Sequence, residues 1–353
     1  MQKIRVAIAG AGFAAETHAD GYSRFPLAEM VAVSSLSEER ARDFARRWCI
    51  PHFTTHWQDL IERRDVDLLS VCVPTNMHRD LTVAAAEAGK HVICEKPLTT
   101  SLAKADEMIQ ATRGNKVRLF YAENWLFAPA MQRIAHLVRN DAIGKVLYYR
   151  GRECSGTTHS RYSRQKDYAG GGTLMHMSVH PLGFGLALKE NVAVSSVYAA
   201  LSGGGPANLV HKDFDGEDFA IALVSFEDGT WCLVEADFIT KGGLDDEVEI
   251  FGSLGTIKAN FSQSSPIRVF SEKGYDYAVE KAETTMGWSF PMPEERRSQG
   301  WIDEIEHFLT CIRDDLPSRY GSDAMGGRRV LEVALAGYES ARQGRRITIP
   351  FKG

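Results

Sequence analysis

The opening of the chain constrains it most. Residues 4–9 (Ile-Arg-Val-Ala-Ile-Ala) are an apolar run the length of one buried strand, and Gly10-Ala11-Gly12-Phe13-Ala14-Ala15 follows at once. A helical pattern takes over near Ala14. A glycine turn between strand and helix is how a dinucleotide-binding βαβ unit begins. Gly10 permits the tight turn, Gly12 lets a pyrophosphate approach the backbone, and Ala15 keeps the helix against the sheet. The helix N-terminus, with Phe13 and Ala14 in its first turn, offers unpaired N–H groups to the anion. A glycine-rich turn that binds nothing is the alternative.

The next hundred residues repeat the alternation. Strands are expected near 30–33, 67–73, 91–94 and 117–121. Ser37 caps a helix with Glu38 and Glu39 in its first turn, and Leu81, Ala84, Ala85 and Ala88 mark one face of another that Gly89 ends. Short apolar strands alternating with helices mean a parallel, doubly wound sheet. After about residue 122 the pattern changes. A long strand over 146–154, a hairpin around Asp228-Gly229 and a second around Gly255 point to antiparallel pairing. An apolar stripe of Ile302, Ile305, Phe308, Leu309 and Ile312 and a helix over 328–342 close the chain. The expected fold is α/β: an N-terminal Rossmann doubly wound domain over 1–122, and a C-terminal α/β domain over 123–353 with a large, open, mostly antiparallel sheet. The 353 residues suit two domains at ~150 residues each.

Composition narrows the partners. Hydrophobic residues are 44%, charged residues 25% and the net charge is −5. These values exclude a disordered chain and argue against nucleic acid or an anionic membrane as partner. Six cysteines without a C-x2-C spacing read as buried free thiols, which suits a reducing, cytoplasmic setting. Lys3 and Arg5 before an apolar run imitate a signal peptide, but Gly10 and Gly12 interrupt it as a strand-to-helix turn would. No run approaches 18 apolar residues, so no membrane span is expected.

Two further stretches carry chemistry. An Asp or Glu ending the second strand would bind the ribose 2′-hydroxyl of NAD, yet this chain has Ser34-Ser35-Leu36-Ser37 with Arg40 one turn later. Ser35, Ser37 and Arg40 would accept a 2′-phosphate, so the cofactor expected is NAD(P) with NADP favoured. The plainer reading makes these serines a helix cap. Cys94-Glu95-Lys96-Pro97 ends a strand, at the sheet edge where ligands bind. A lysine there, partly buried beside a positively charged nicotinamide, would have its pKa lowered toward the range useful for proton transfer.

The combination of G-x-G-x-x-A, Glu95-Lys96-Pro97 and the run Gly170-Gly171-Gly172 through His180 resembles the glucose–fructose oxidoreductase / inositol dehydrogenase family over nearly the whole chain. The resemblance extends to Leu331-Glu332-Val333-Ala334 and Gly344-Arg345-Arg346-Ile347. It implies hydride transfer between NAD(P) and a carbinol carbon of a sugar, cyclitol or sugar-acid-like substrate. It assigns proton transfer to Lys96, with a cis Lys96–Pro97 bond, and makes His180 its partner at the reacting hydroxyl. Relatives usually carry Asp where this chain has His176, so the substrate or proton route is expected to differ. On one helix, His176 and His180 would share a face. The alternatives for His176 are a substrate contact, a metal site with His180 and either Glu153 or His159, or packing. Pro74, Thr75, Asn76 and His78, with Glu95 and Lys96, join Gly10, Gly12, Phe13 and Ala14 as cofactor contacts. Asn124 and Trp125 are read as a hydroxyl ligand and a stacking platform, with ordinary core equally open for Trp125. Tyr162, with Arg161, Arg164 and Lys166, is read as a substrate lid or a solvated basic loop. His18 is read as structural. The resemblance also implies a homodimer or homotetramer through the C-terminal sheet. Two other functions compete: a net non-redox glycoside elimination or hydrolysis on bound NAD(P), and a non-catalytic dinucleotide sensor.

Overall fold

A computed structural model describes residues 3–351 except 159, 263, 264, 266, 277–280 and 283. The chain divides into two compact units, Met1–Glu123 with Trp301–Arg328, and Asn124–Gly300 with Arg329–Gly353.

The first unit is the expected doubly wound sheet. Its strands are β1 (Ile4–Ala9), β2 (Ala28–Ser34), β3 (His52–Thr54), β4 (Leu68–Val71), β5 (His91–Glu95) and β6 (Leu119–Ala122). They run in the order β3-β2-β1-β4-β5-β6, every neighbour parallel. Helices α1 (Phe13–Arg24), α2 (Glu38–Arg47), α3 (Trp57–Glu62), α4 (His78–Glu87) and α5 (Leu102–Gly114) connect them. β4 and β6 are buried at every residue, as strands covered on both faces must be.

The second unit begins with a 3-10 turn at Asn124–Phe127 and α6 (Pro129–Arg139). Then come β7 (Val146–Cys154), α7 (Lys166–Ala169), α8 (Thr173–His176), α9 (Val179–Leu188) and the strands β8 (Val194–Leu201), β9 (Phe219–Phe226), β10 (Trp231–Asp237), β11 (Asp245–Gly252) and β12 (Thr256–Asn260). A small pair, β13 (Val269–Ser271) and β14 (Gly287–Ser289), precedes α10 (Glu295–Ser298). After α11 (Trp301–Arg313), α12 (Ala324–Gln343) leads to β15 (Ile347–Thr348). The seven-stranded sheet has the order β12-β11-β7-β10-β9-β8-β15. Only β7 and β10 pair in parallel, so the sheet is mostly antiparallel as expected.

The expected cut near residue 122 needs one correction. The segment 301–328 belongs with the first unit, not with an unbroken 123–353 domain. Its α11 packs on α1, where a Cβ on Gly21 would lie 2.8 Å from Ile305 Cγ1, and the Phe13 and Trp301 rings meet edge to face at 5.4 Å. An apolar stripe shows that a helix is buried on one face but not against which sheet. Among the described residues no helix is long and apolar enough to cross a membrane. Of the free cysteines, Cys94, Cys154, Cys232 and Cys311 are buried, whereas Cys49 is exposed.

Candidate functional site

In the first unit the glycine turn is built as its residue types require. Gly10 has φ +116, and a Cβ there would sit 2.1 Å from the Cys72 carbonyl oxygen. Only glycine fits. Gly12 precedes α1 with no side-chain cap, and a Cβ on it would meet no protein atom within 4 Å. The entry to α1 at Gly12 is therefore clear of other described residues. Glu16, the one acid in that turn, is drawn aside by Arg47 and by Trp48 Nε1 at 2.7 Å. Across the sheet edge, Asn76 Oδ1 is buried with no hydrogen-bond partner among the described residues. An anion at the helix end and a donor group for Asn76 fit these residues, as a dinucleotide would.

Other predicted cofactor contacts are used internally. His78 is buried, with Nδ1 3.0 Å from the Pro97 carbonyl oxygen and Nε2 2.9 Å from that of Val73. Burial lowers its pKa against the pull of these carbonyls, and with both ring nitrogens facing backbone oxygens neither is on offer. Glu95 is similarly engaged. Its Oε1 lies 3.1 Å from His18 Nε2, its Oε2 accepts the Lys96 N–H at 3.1 Å, and His18 Nδ1 lies 2.8 Å from Ser70 Oγ. His18 is thus structural, as read. Burial alone would raise the Glu95 pKa, but the His18 hydrogen bond and the nearby Lys96 ammonium outweigh it and hold the pKa below its ordinary value. Lys96 is half-buried at the end of β5 beside a cis bond to Pro97. At the end of β2, Ser37 Oγ accepts the Arg40 N–H at 3.3 Å, which is the capping role, while Arg40 itself is exposed. Ser35 is half-buried, and its N–H bonds the Thr54 carbonyl.

In the second unit the glycine run is an anchoring device. A Cβ on Gly171 would lie 2.0 Å from the Tyr338 hydroxyl, and one on Gly172 would lie 2.2 Å from the Glu217 carbonyl oxygen. The Glu217 carboxylate accepts from Gly172 N–H at 3.0 Å, Leu174 N–H at 2.9 Å and Tyr338 O–H at 2.7 Å, so it caps α8. Burial raises its pKa despite these donors. No sequence pattern pointed to Glu217, because the capping acid lies 45 residues from the cap.

The expectation of one helix carrying both histidines is not met. α8 ends at His176 and α9 starts at Val179, with Met177 and Ser178 between. Pro181 has no N–H to continue the ladder, so the chain restarts with Pro181 in the first turn of α9. His176 is half-buried beside Phe238, ring centroids 6.1 Å apart. His180 is buried against Trp125, centroids 5.9 Å apart and planes at 22°. Trp125 is 1% exposed and meets Phe261 edge on at 4.8 Å, so it is core and has no face left for a sugar. Asn124 is buried too, its Nδ2 donating to the Gln299 carbonyl at 2.6 Å. Tyr162 contacts its neighbours Ser160 and Arg161 and the ring of Tyr168, rather than His180. Arg164 covers the Phe214 ring at 4.9 Å.

The group found with His180 is Glu153. Its Oε2 lies 3.5 Å from His180 Nε2, and its Oε1 accepts from Lys281 Nζ at 2.9 Å. Lys281 carries no sequence signal. The Lys281 ammonium on Oε1 places a positive charge beside the site, and among the described residues His176, His180 and Glu153 do not form a metal-like group, which weighs against the two-histidine metal site. His159 lies outside the described residues. Among the described residues a metal-like spacing occurs at Cys154, Glu235 and Asp237 instead. There Asp237 is spent on the Ile239 and Thr240 N–H groups and the Thr240 hydroxyl, and burial with the neighbouring carboxylates pushes the Cys154 thiol up.

Comparison with known proteins agrees with this arrangement. Residues 4–123 match the model of an oxidoreductase family with an NAD-binding Rossmann fold, and residues 135–349 match that family's C-terminal alpha/beta domain. The chain belongs to this family. It is an NAD-binding oxidoreductase of the glucose–fructose oxidoreductase / inositol dehydrogenase group. The myo-inositol 2-dehydrogenase of Thermotoga maritima is 25% identical over 98% of each chain. The levoglucosan dehydrogenase of Pseudarthrobacter phenanthrenivorans is 27% identical over 76% of each. Among solved structures, GenD2 from gentamicin A biosynthesis, in complex with NAD, superposes with a TM-score of 0.92 at 24% identity, covering 99% of this chain and 97% of that one.

Proposed function

We propose that this oxidoreductase interconverts a secondary alcohol and its ketone on a polyol, cyclitol or sugar, with Lys96 and His180 moving the hydroxyl proton. The observation that carries the reading is the placement of Lys96. It stands at the carboxyl end of β5, the ligand-binding edge of a parallel sheet, with its amide seated on Glu95 and Glu95 held by His18. Relatives that act on myo-inositol and levoglucosan support the substrate class.

Gly10, Gly12, the first turn of α1, Thr75 and Asn76 would hold the dinucleotide, which would supply the hydride acceptor for the carbinol carbon. As the C–O bond becomes a carbonyl, the hydroxyl proton passes to Lys96 Nζ in the fraction of enzyme whose amine is unprotonated, and His180 shares its transfer. In the reverse direction the same groups return it. NADP is the preferred form in this reading, through Ser35 and Arg40, because no carboxylate ends β2 to repel a 2′-phosphate. The open face of the second sheet exposes Leu147, Tyr198 and Trp231, which supports a homo-oligomer contact there.

The test is a panel of polyols, cyclitols and sugar acids with NAD and NADP, read at the nicotinamide absorbance. Lys96→Ala is expected to lower turnover by about 10² to 10⁴ while fluorescence titration shows the cofactor still bound. Hydride transfer at the wild-type rate in that variant refutes the assignment.

A further inference from the structure

We propose that Glu153 is the positioning residue of His180: its carboxylate carries the counter-charge when the imidazole is protonated, and Lys281 sets how much of that charge His180 feels. The inference rests on the reading of His180 as a proton-transfer group.

Glu153 points to the helix-covered side of β7, its side chain 5% exposed. Burying an ionised carboxylate is costly unless it is paired. One end is paired, with Lys281 Nζ on Oε1 at 2.9 Å. The other end has no hydrogen bond among the described residues: Oε2 is buried and faces His180 Nε2 at 3.5 Å, within ion-pair range. An acceptor left in this state beside an imidazole gains most when the ring takes up a proton. His176 brings no fixed negative charge to α8, so the acid near His180 comes from the sheet instead.

Among the described residues, the other groups in this region do not replace Glu153. Asp246 is the cross-strand neighbour of Glu153 on β11 and gives one oxygen, Oδ2, to Gln299 Nε2 at 3.3 Å. The Tyr149 hydroxyl donates to the Pro181 carbonyl at 2.9 Å. On β10, burial pushes the Cys232 thiol up, so it stays neutral. The ionisable residues Arg133, His136 and Arg139 of α6 are exposed. Lys281 is itself mostly buried and also meets Met177 Sδ at 3.4 Å, so its charge is held close to Glu153 and little screened.

The opposed signs of the two neighbours make the proposal testable. Full-length protein with ring-labelled histidines is titrated by NMR, with His180→Asn used to assign the signal. Glu153→Gln keeps the shape and removes the charge; the His180 midpoint should fall by about 1 to 2 pH units. Lys281→Met removes the competing cation and should raise the midpoint. The pH profile of kcat/KM should move in the same directions. A midpoint unchanged in Glu153→Gln, or moved the same way by both variants, overturns the proposal. If Glu153→Gln fails to fold, Lys281→Met decides alone, and a lowered or unchanged midpoint overturns it. Opposite shifts together with full turnover in His180→Asn would uphold the positioning by Glu153 and refute the proton-transfer reading of His180.

Discussion

Glu304→Gln is expected to stabilise this protein, and to do so only above mildly acidic pH. Glu304 lies on α11, fully buried, with both carboxyl oxygens lacking hydrogen bonds among the described residues. Burial raises its pKa well above the ordinary 4.5, and the charges of Glu95 and Glu123 raise it further. The folded chain therefore keeps a proton that the unfolded chain loses. Stability from this group is complete below about pH 4.5 and is lost as pH rises from there toward the folded value. At about 1.4 kcal/mol per pH unit, the loss at pH 7 is capped at about 3 kcal/mol however high the folded value lies. Glutamine keeps the shape and cannot ionise. The variant should match the wild type near pH 4.5 and exceed it by up to about 3 kcal/mol at pH 7, or up to roughly 10 °C in Tm for a unit of ~150 residues. Paired thermal unfolding between pH 4.5 and 8.5, followed by circular dichroism, measures the difference. A Tm difference that stays flat or shrinks as pH rises would refute the reasoning, because it would mean that Glu304 is ionised and stabilised in the folded state.

Four other outcomes follow from the geometry. Gly10→Ala forces a Cβ onto the Cys72 carbonyl at a φ that costs about 1 to 3 kcal/mol, so a thermal shift and a loss of NAD(H) affinity of at least about tenfold are expected together; unaltered affinity by fluorescence titration would take the dinucleotide away from this turn. Ser37→Ala should cost about 1 kcal/mol as a lost cap without moving the NAD/NADP preference, whereas Ser35→Asp should move that preference toward NAD; kcat/KM ratios for the two cofactors decide both. Trp125→Ala should destabilise by about 3 to 5 kcal/mol as a core cavity, and an unchanged Tm with a raised substrate KM would restore the stacking role.

The parts of the fold legible in sequence are those whose signal is local. The strands of the first unit are short apolar runs bounded by turns, and the glycine turn has its own conformational logic at Gly10. β3 went unnoticed because His52 and Phe53 are exposed and the strand is only three residues long at a sheet edge. The candidate site was legible where one residue's neighbours in sequence define its setting, as for Lys96 at the end of β5. It was not legible for His78, Glu95, Asn124 or Trp125. Each of these is polar or aromatic at a position that suits a ligand, yet each is engaged by atoms of the protein that lie far along the chain. Glu153 was weighed only as a metal ligand. That it faces His180 depends on which residues of β7 point to the covered side of the sheet and on a lysine 128 residues away.

Residue order alone was enough for a Rossmann unit at the front, a β-rich unit behind it, and a lysine at the edge where a dinucleotide would lie. These follow from periodicity, from glycine's freedom at positive φ and from proline's missing N–H, all of which act within a few residues. Tertiary packing chose the rest: the return of α11 to the first unit, the break between His176 and His180, and the pairing of His180 with Glu153 and Lys281. Those outcomes depend on which buried charges and faces find partners, and burial is a property of the assembled chain rather than of any segment of it.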